Sequence, residues 1–327
     1  MIKFSNVSKY YDDRVVVNQV DIEINEGEFF VLIGPSGSGK TTTMKMINRL
    51  IPLSEGYIYF KDRPISDYSV YEMRWDMGYV LQQIALFPHM TIRDNIAQVP
   101  LMKGWTKEKI DARVDELLSM VGLDPEQFRD RKPEELSGGQ RQRVGVVRAL
   151  AVDPPVILMD EPFSALDPIT REKLQDDLLK LQDQIKKTIV FVTHDIEEAF
   201  KLGDRICLLN HGHIEQIGTP NDFIKKPKND FVCQFLGDLT SVVLNHFSLG
   251  KVVELAGEKA TEAQLRQYPV VHADQTVSDV YDELVQYEAV IVPVEGEQWS
   301  LSRQDIFSFL SKNQAVSVDE YIFRNIE

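Results

Sequence analysis

Eight consecutive residues, Gly34, Pro35, Ser36, Gly37, Ser38, Gly39, Lys40 and Thr41, fit the pattern G-x-x-x-x-G-K-S/T, and Thr42 follows them as a further candidate for the nucleotide. The apolar run FFVLI (29–33) stands before them and a helical pattern follows. Glycines in such a loop let backbone N–H groups point at a polyphosphate. Lys40 is placed to reach the β- and γ-phosphates, and the Thr41 hydroxyl is a candidate ligand for Mg²⁺. Nucleotide binding follows from that context, but phosphate loops serve many unrelated reactions.

A second stretch, PPVILMDEPFSALD (154–167), narrows the chemistry. The residues VILM predict a short buried strand ending on Asp160 and Glu161, which brings two carboxylates to the sheet edge where a phosphate loop opens. Asp160 suits the Mg²⁺ shell. Glu161 suits the attacking water, because a base beside the γ-phosphate orients and deprotonates it. Just upstream, LSGGQRQRVGVVRAL (136–150) predicts a helix opened by Ser137, Gly138, Gly139 and Gln140. Its first turn offers uncovered N–H groups, two glycines and a hydroxyl, which makes a second anion site. One nucleotide cannot easily use both sites of one chain.

In this order and spacing GPSGSGKT, LSGGQ and LMDEP resemble the ATPase subunit of an ATP-binding-cassette transporter, over residues 2–237. That resemblance implies an α/β phosphate-loop NTPase fold with a RecA-like core, an antiparallel β subdomain and a helical subdomain over about residues 90–150. It also implies ATP and Mg²⁺ as cofactors. In the family two cassettes enclose two ATPs, each between the phosphate loop of one subunit and the LSGGQ of the other, so a homodimer is expected. Further positions carry over one by one. Tyr11 resembles the aromatic that stacks on adenine, with Tyr10 adjacent. Gln82 resembles the glutamine that touches Mg²⁺ and water and links to the membrane subunit, with Gln83 adjacent. Ser164, Ala165, Leu166 and Asp167 resemble the loop that crosses the dimer seam. His194, read as the end of the strand TIVFVTH (188–194), resembles the histidine that contacts the γ-phosphate.

A cassette with no spanning segment of its own resembles the separate ATPase subunits of importers. The runs FFVLIGPSGSGKTTTMKMINRLI, MGYVLQQIALFPHMTIRDNIAQVP and DEPFSALDPITREKLQ are similar to the osmoprotectant group, which takes up quaternary amines such as glycine betaine, carnitine, choline or proline betaine. The partners implied are integral membrane permease subunits and an extracellular substrate-binding protein or domain of the transporter. An importer of another small solute, such as an amino acid, and a non-transport cytosolic cassette ATPase are the alternatives.

Composition sets the outer limits. No apolar run approaches the roughly 18 residues needed to span a bilayer, and the N-terminus enters a strand pattern at once. The formal charge of −15 argues against wrapping nucleic acid and against self-attachment to an anionic membrane. The expected location is the cytoplasmic face of the cell membrane, held there by a protein partner. Cys207 and Cys233 lie far apart without metal-like spacing, so both are expected to have plain apolar roles.

Charge is uneven along the chain. Residues 238–327 hold 15 acidic and 6 basic side chains, a net of −9 out of −15. The shift predicts a cassette over 1–237, a linker or worn remnant over 238–267 and a small α+β tail over 268–327. In the tail PVV (269–271) predicts a strand, TVSDVYDELVQ (276–286) a helix, AVIVPV (289–294) a strand and SLSRQDIFSFL (300–310) a strand leading into a helix. This order is similar to one CBS-type repeat. The resemblance implies an adenine-nucleotide regulator held by Ser302 and Asp305, while the same spacing also reads as a helix capping box.

Overall fold

The computed structural model describes residues 1–12, 14–82, 85–237 and 247–306. Gln83 and the end of the last predicted helix lie outside the described residues. The chain divides into two compact units, Met1–Pro220 and Asn221–Glu327. This division falls ahead of the change in composition at 237, because charge records the surface whereas compactness records packing.

The first unit contains two sheets. The strands β1 (Ile2–Tyr11), β2 (Arg14–Ile24), β4 (Glu55–Phe60) and β5 (Arg63–Pro64) form an antiparallel sheet ordered β2-β1-β4-β5. The other sheet takes β3 (Phe29–Ile33), β6 (Met77–Val80), β7 (Val156–Asp160), β8 (Thr188–Val192), β9 (Arg205–Asn210) and β10 (His213–Gly218), ordered β10-β9-β3-β8-β7-β6. All of its pairings are parallel except β9 with β10. Every residue of β3, β7 and β8 is buried, which accounts for their unbroken apolar sequences in a parallel sheet covered on both faces. The helix α1 (Lys40–Ile47) follows β3, and its Met44, Met46 and Ile47 share one core with Phe4, Val7 and Val17 of the antiparallel sheet and with Leu32, Leu158 and Val190.

Between β6 and β7 the chain leaves the sheet for a run of helices. After α2 (Val70–Trp75), which leads into β6, come α3 (Ile92–Met102), α4 (Lys107–Met120), α5 (Pro125–Phe128) and α6 (Gly138–Ala149). The inserted helices therefore fall within the span read from sequence. Thr91, Thr106, Asp124 and Ser137 cap α3 to α6 in turn with side-chain acceptors, so each start is marked locally. Return to the sheet brings α7 (Pro168–Ile185) after β7 and α8 (Ile196–Leu202) after β8. β8 stops at Val192, short of the His194 expected from the apolar run. The reason is local: the Thr193 hydroxyl accepts from the Asp195 N–H at 3.0 Å and turns the chain out of the sheet.

In the second unit α9 (Pro220–Lys225), whose first residue closes the first unit, and α10 (Asp230–Leu236) come first. Then follow α11 (Leu249–Ala256), β11 (Glu258–Lys259), α12 (Glu262–Gln267), α13 (Tyr281–Gln286), β12 (Ala289–Val294) and β13 (Glu297–Ser302). These three strands form a sheet ordered β11-β13-β12, so the segment given above as linker or remnant contributes a paired strand. The strand predicted at 269–271 is reduced to one parallel bridge between Val270 and Ile291. A turn closed by His272 N–H on Gln275 Oε1 at 2.8 Å carries the chain away before a second pair can form. Cys207 is buried in the core of the first unit, as an apolar role requires, but Cys233 is exposed on α10. Val232 and Leu236 are the residues of that helix that are buried, and Cys233 does not share their face.

Candidate nucleotide-binding and hydrolysis site

Because β3, β6, β7 and β8 run parallel, their carboxyl ends emerge on one edge, and that edge collects the predicted residues. The phosphate loop leaves β3. Asp160 closes β7, Gln82 lies two residues past β6, and His194 lies two residues past β8. The register pairs Asp160 with Val192, so Glu161 and the turn holding His194 leave the sheet side by side.

The phosphate loop wraps a cavity of about 440 Å³ lined by Ser36, Gly37, Lys40, Thr41, Glu161 and His194, among others. Gly39, at the start of α1, has φ 103°, and no side chain caps the helix there. Its N-terminal N–H groups and dipole thus face an anion site. Lys40 is 6% exposed and its Nζ donates to the Gly34 and Pro35 carbonyls at 2.8 and 3.0 Å. Burial holds its ammonium below the ordinary lysine range, with the Glu161 and Asp160 carboxylates pulling the other way.

A Cβ at Gly39 would stand 2.6 Å from the Val16 carbonyl oxygen, in a backbone conformation that side chains rarely adopt. Gly39→Ala is therefore expected to lose about 1–3 kcal/mol in urea unfolding and to weaken nucleotide binding in the same protein. Unchanged unfolding and binding would contradict this packing of the loop.

The carboxylates are held differently. Asp160 is buried; its Oδ1 accepts from Thr41 Oγ1 at 2.9 Å, and its Oδ2 accepts from Tyr79 Oη at 3.2 Å and lies 3.4 Å from Lys45 Nζ. The hydroxyl and carboxylate in contact are hard oxygen donors, the set that suits Mg²⁺ beside phosphates. Burial first, and then the Asp160 charge, push the Tyr79 phenol far above its usual range. Glu161 has φ 45°, sparsely populated for a residue with a side chain, and its N–H donates to the Val192 carbonyl at 2.9 Å. Its Oε2 accepts from Gln82 Nε2 at 3.2 Å and lies 3.2 Å from His194 Nδ1. Among the described residues, Gln82 is the glutamine that meets Glu161.

Comparison with known proteins bears on the family. The family model described as ABC transporter matches residues 17–164. The osmoprotectant import ATP-binding protein OsmV of Salmonella typhimurium is 49% identical over 260 residues, which are 78% of this chain and 68% of that protein. The chain belongs to the ABC transporter family. The glycine betaine/carnitine/choline transport ATP-binding protein OpuCA of Bacillus subtilis is 55% identical over 238 residues, 72% of this chain. The chain matches 62% of the length of that relative. A solved dimeric ATP-binding cassette in a post-hydrolysis state, bound to ADP and Pi, superposes with a TM-score of 0.60 at 38% identity; the match covers 67% of this chain and 99% of that one.

Other expected residues of the cassette stand apart from the phosphate-loop cavity. Ser137 caps α6 and forms a reciprocal pair with Gln140: Gln140 N–H donates to Ser137 Oγ at 3.2 Å, and Ser137 N–H donates to Gln140 Oε1 at 2.9 Å. A Cβ at Gly139 would stand 2.8 Å from Thr170 Cγ2, and one at Gly138 would stand 3.8 Å from Leu166 Cδ2. The LSGGQ turn therefore packs beside the loop of Ser164 to Asp167. None of these residues lines the cavity. Asp167 caps α7, and the Thr170 backbone N–H holds its carboxyl below the usual carboxylate range. Tyr10 donates its hydroxyl to Glu55 at 3.1 Å, whereas Tyr11 is exposed with Lys9 Nζ 4.7 Å from its ring centre. Tyr11 is thus the aromatic presented to solvent.

Tyr79, Lys45 and Val16 join the site without having been singled out. Tyr79 becomes legible only from the register, which sets it opposite Leu158, two residues before Asp160. In the second unit Ser302 and Asp305 bond to each other: Ser302 N–H donates to Asp305 Oδ2 at 2.8 Å, and Asp305 N–H donates to Ser302 Oγ at 3.1 Å. Thr276 and Asp279 repeat that capping box.

Proposed function

We propose that this chain is the ATP-hydrolysing subunit of an importer for a quaternary-amine osmoprotectant, of the glycine betaine, carnitine and choline class. The observation that carries the hydrolytic reading is Glu161 held 3.2 Å from both Gln82 and His194 at the cavity formed by the phosphate loop. Glu161 takes the proton of the attacking water, Gln82 orients that water, and His194 faces the γ-phosphate. Lys40 and the N–H groups of the loop hold the phosphates, and Tyr11 stacks on the base. Mg²⁺, held by Thr41 and Asp160, would neutralise the charge that builds on the phosphate oxygens.

Two copies pair so that Ser137 to Gln140 of one close the site of the other. The dimeric cassette with ADP and Pi supports that arrangement, as does the fact that Ser137 to Gln140 do not line the cavity of their own chain. Names of the relatives support the substrate class. The subunit works on the cytoplasmic side of the membrane against permease subunits, with an extracellular binding protein supplying solute. No described helix is long and apolar enough to cross a membrane. The tail is read as one CBS-like regulatory unit, supported by the order α13, β12, β13 and the helix opening at Arg303.

Transport is tested by reconstituting the chain with its permease and binding protein and measuring uptake of labelled glycine betaine, carnitine and choline. ATP-dependent uptake of at least one, lost in Lys40→Ala, is expected. Uptake of an amino acid with none of the three would overturn the substrate class.

A further inference from the structure

Behind His194 lies a set of buried contacts that the reaction as described does not use. Glu198, in the first turn of α8, is 5% exposed. Its Oε2 accepts from the Thr193 hydroxyl at 2.6 Å, and its Oε1 accepts from Gln175 Nε2 of α7 at 3.3 Å. Arg171, also on α7, lies 3.9 Å from Glu198 Oε1 through Nε and 3.5 Å from Asp195 Oδ2 through Nη1, while its Nη2 donates to the Leu166 carbonyl at 3.2 Å. Asp195 caps α8 by accepting from the N–H groups of Glu197 and Glu198. The residues on either side of His194 are therefore both tied down, and the ties run to α7. His194 itself is 62% exposed in its side chain, and its imidazole Nδ1 meets Glu161 Oε2. Its direction is set by the turn that carries it.

An apolar residue at 198 would pack α8 against α7 without the cost of burying a carboxylate, which is substantial in a low-dielectric interior. Burial does push the Glu198 carboxyl up, against the Thr193 hydrogen bond and the Arg171 charge. What such a residue could not do is bond the Thr193 hydroxyl on one side and α7 on the other.

We propose that Glu198 is the positioning residue of His194: anchored to α7 by Gln175 and Arg171, it holds the Thr193–Asp195 turn so that the imidazole faces Glu161. The inference rests on the hydrolytic role given to His194 above. It makes Glu198 act through His194 and not on nucleotide directly, since Glu198 does not line the phosphate-loop cavity.

A double-mutant cycle tests it, with Glu198→Ala and Glu198→Gln each placed in the parent and in the His194→Ala background. Thr193→Val, close in shape, serves as a second probe of the turn, since it removes the bond to Glu198 together with the one from the Asp195 N–H. In the parent background Glu198→Ala and Thr193→Val should lower kcat on the order of 10- to 100-fold, the cost of misplacing a reacting group, with KM for ATP nearly unchanged. Glu198→Gln should restore most of the rate, because the carboxamide oxygen can still accept from the Thr193 hydroxyl while its NH2 donates to Gln175 once that amide turns its oxygen inward. In the His194→Ala background neither Glu198→Ala nor Thr193→Val should cost anything further. The same fold loss in both backgrounds, or a loss carried by KM, would overturn the proposal.

An independent readout needs no ATPase activity. In ¹H–¹³C spectra the His194 ring signal, assigned by its absence in His194→Ala, should move in Glu198→Ala and Thr193→Val toward its position in Glu161→Ala. An unmoved signal overturns the positioning role. A moved signal in a chain without ATPase activity would confirm the clamp and count only against the hydrolytic reading.

Discussion

Glu161→Gln is expected to reduce ATP hydrolysis by about 10²–10⁴-fold while leaving ATP affinity close to that of the parent. The carboxamide keeps the size of the side chain and can still meet Gln82 and His194, which stand 3.2 Å from Glu161 Oε2, but it cannot take a proton from water. The backbone should tolerate the change. Its φ of 45° is held by the Glu161 N–H to Val192 carbonyl bond, which the substitution does not touch. Lys40, Thr41 and the loop N–H groups are also unaltered, so nucleotide enters as before. With hydrolysis blocked, the dimer should persist in Mg-ATP, and size-exclusion chromatography reads this directly. A monomer-only profile for this variant in Mg-ATP would contradict the shared-site arrangement, and near-parental hydrolysis would remove Glu161 from the role of base.

Ser137→Arg should abolish hydrolysis although Ser137 lies outside the phosphate-loop cavity of its own chain. A guanidinium at the start of α6 replaces a small hydroxyl that now pairs with Gln140, and in the proposed dimer it would fill the anion site that completes the opposite subunit. The decisive form of the experiment is a mixed dimer of one Ser137→Arg subunit and one Lys40→Ala subunit. If the sites are shared, both lesions fall in one site, and the other, built from an intact phosphate loop and an intact LSGGQ, survives. Nucleotide trapping should then be about half that of the parent dimer, by two sites reduced to one. If each chain used its own LSGGQ, each site would carry one lesion and trapping would vanish.

Much of the site could be read from local sequence because its parts are local devices. A phosphate loop is a turn whose glycines and lysine are contiguous, and the carboxylates close an apolar strand that can only be buried. The same holds for the caps: Thr91, Thr106, Asp124, Ser137 and Asp167 each accept from N–H groups within three residues, so type and spacing suffice. Membership of the family follows from the order of such devices along the chain.

Contacts between distant segments were not legible in this way. Whether Gln82 meets Glu161 depends on where β6 ends relative to β7. Tyr79 and Lys45 reach Asp160 only because β6 and α1 converge on the end of β7. The end of β8 at Val192 came from a side-chain bond that competes with the ladder, which an apolar run does not reveal. In the tail, the spacing of Ser302 and Asp305 suited either a ligand or a cap, and the fold turned each toward the other. The sequence by itself determined which chemical groups are present and which short turns hold them, since those depend on neighbours along the chain. Only the tertiary structure decided which groups meet: the parallel register of β6, β7 and β8 set Gln82, Glu161 and His194 together, and the packing of α8 on α7 put a buried carboxylate behind the histidine.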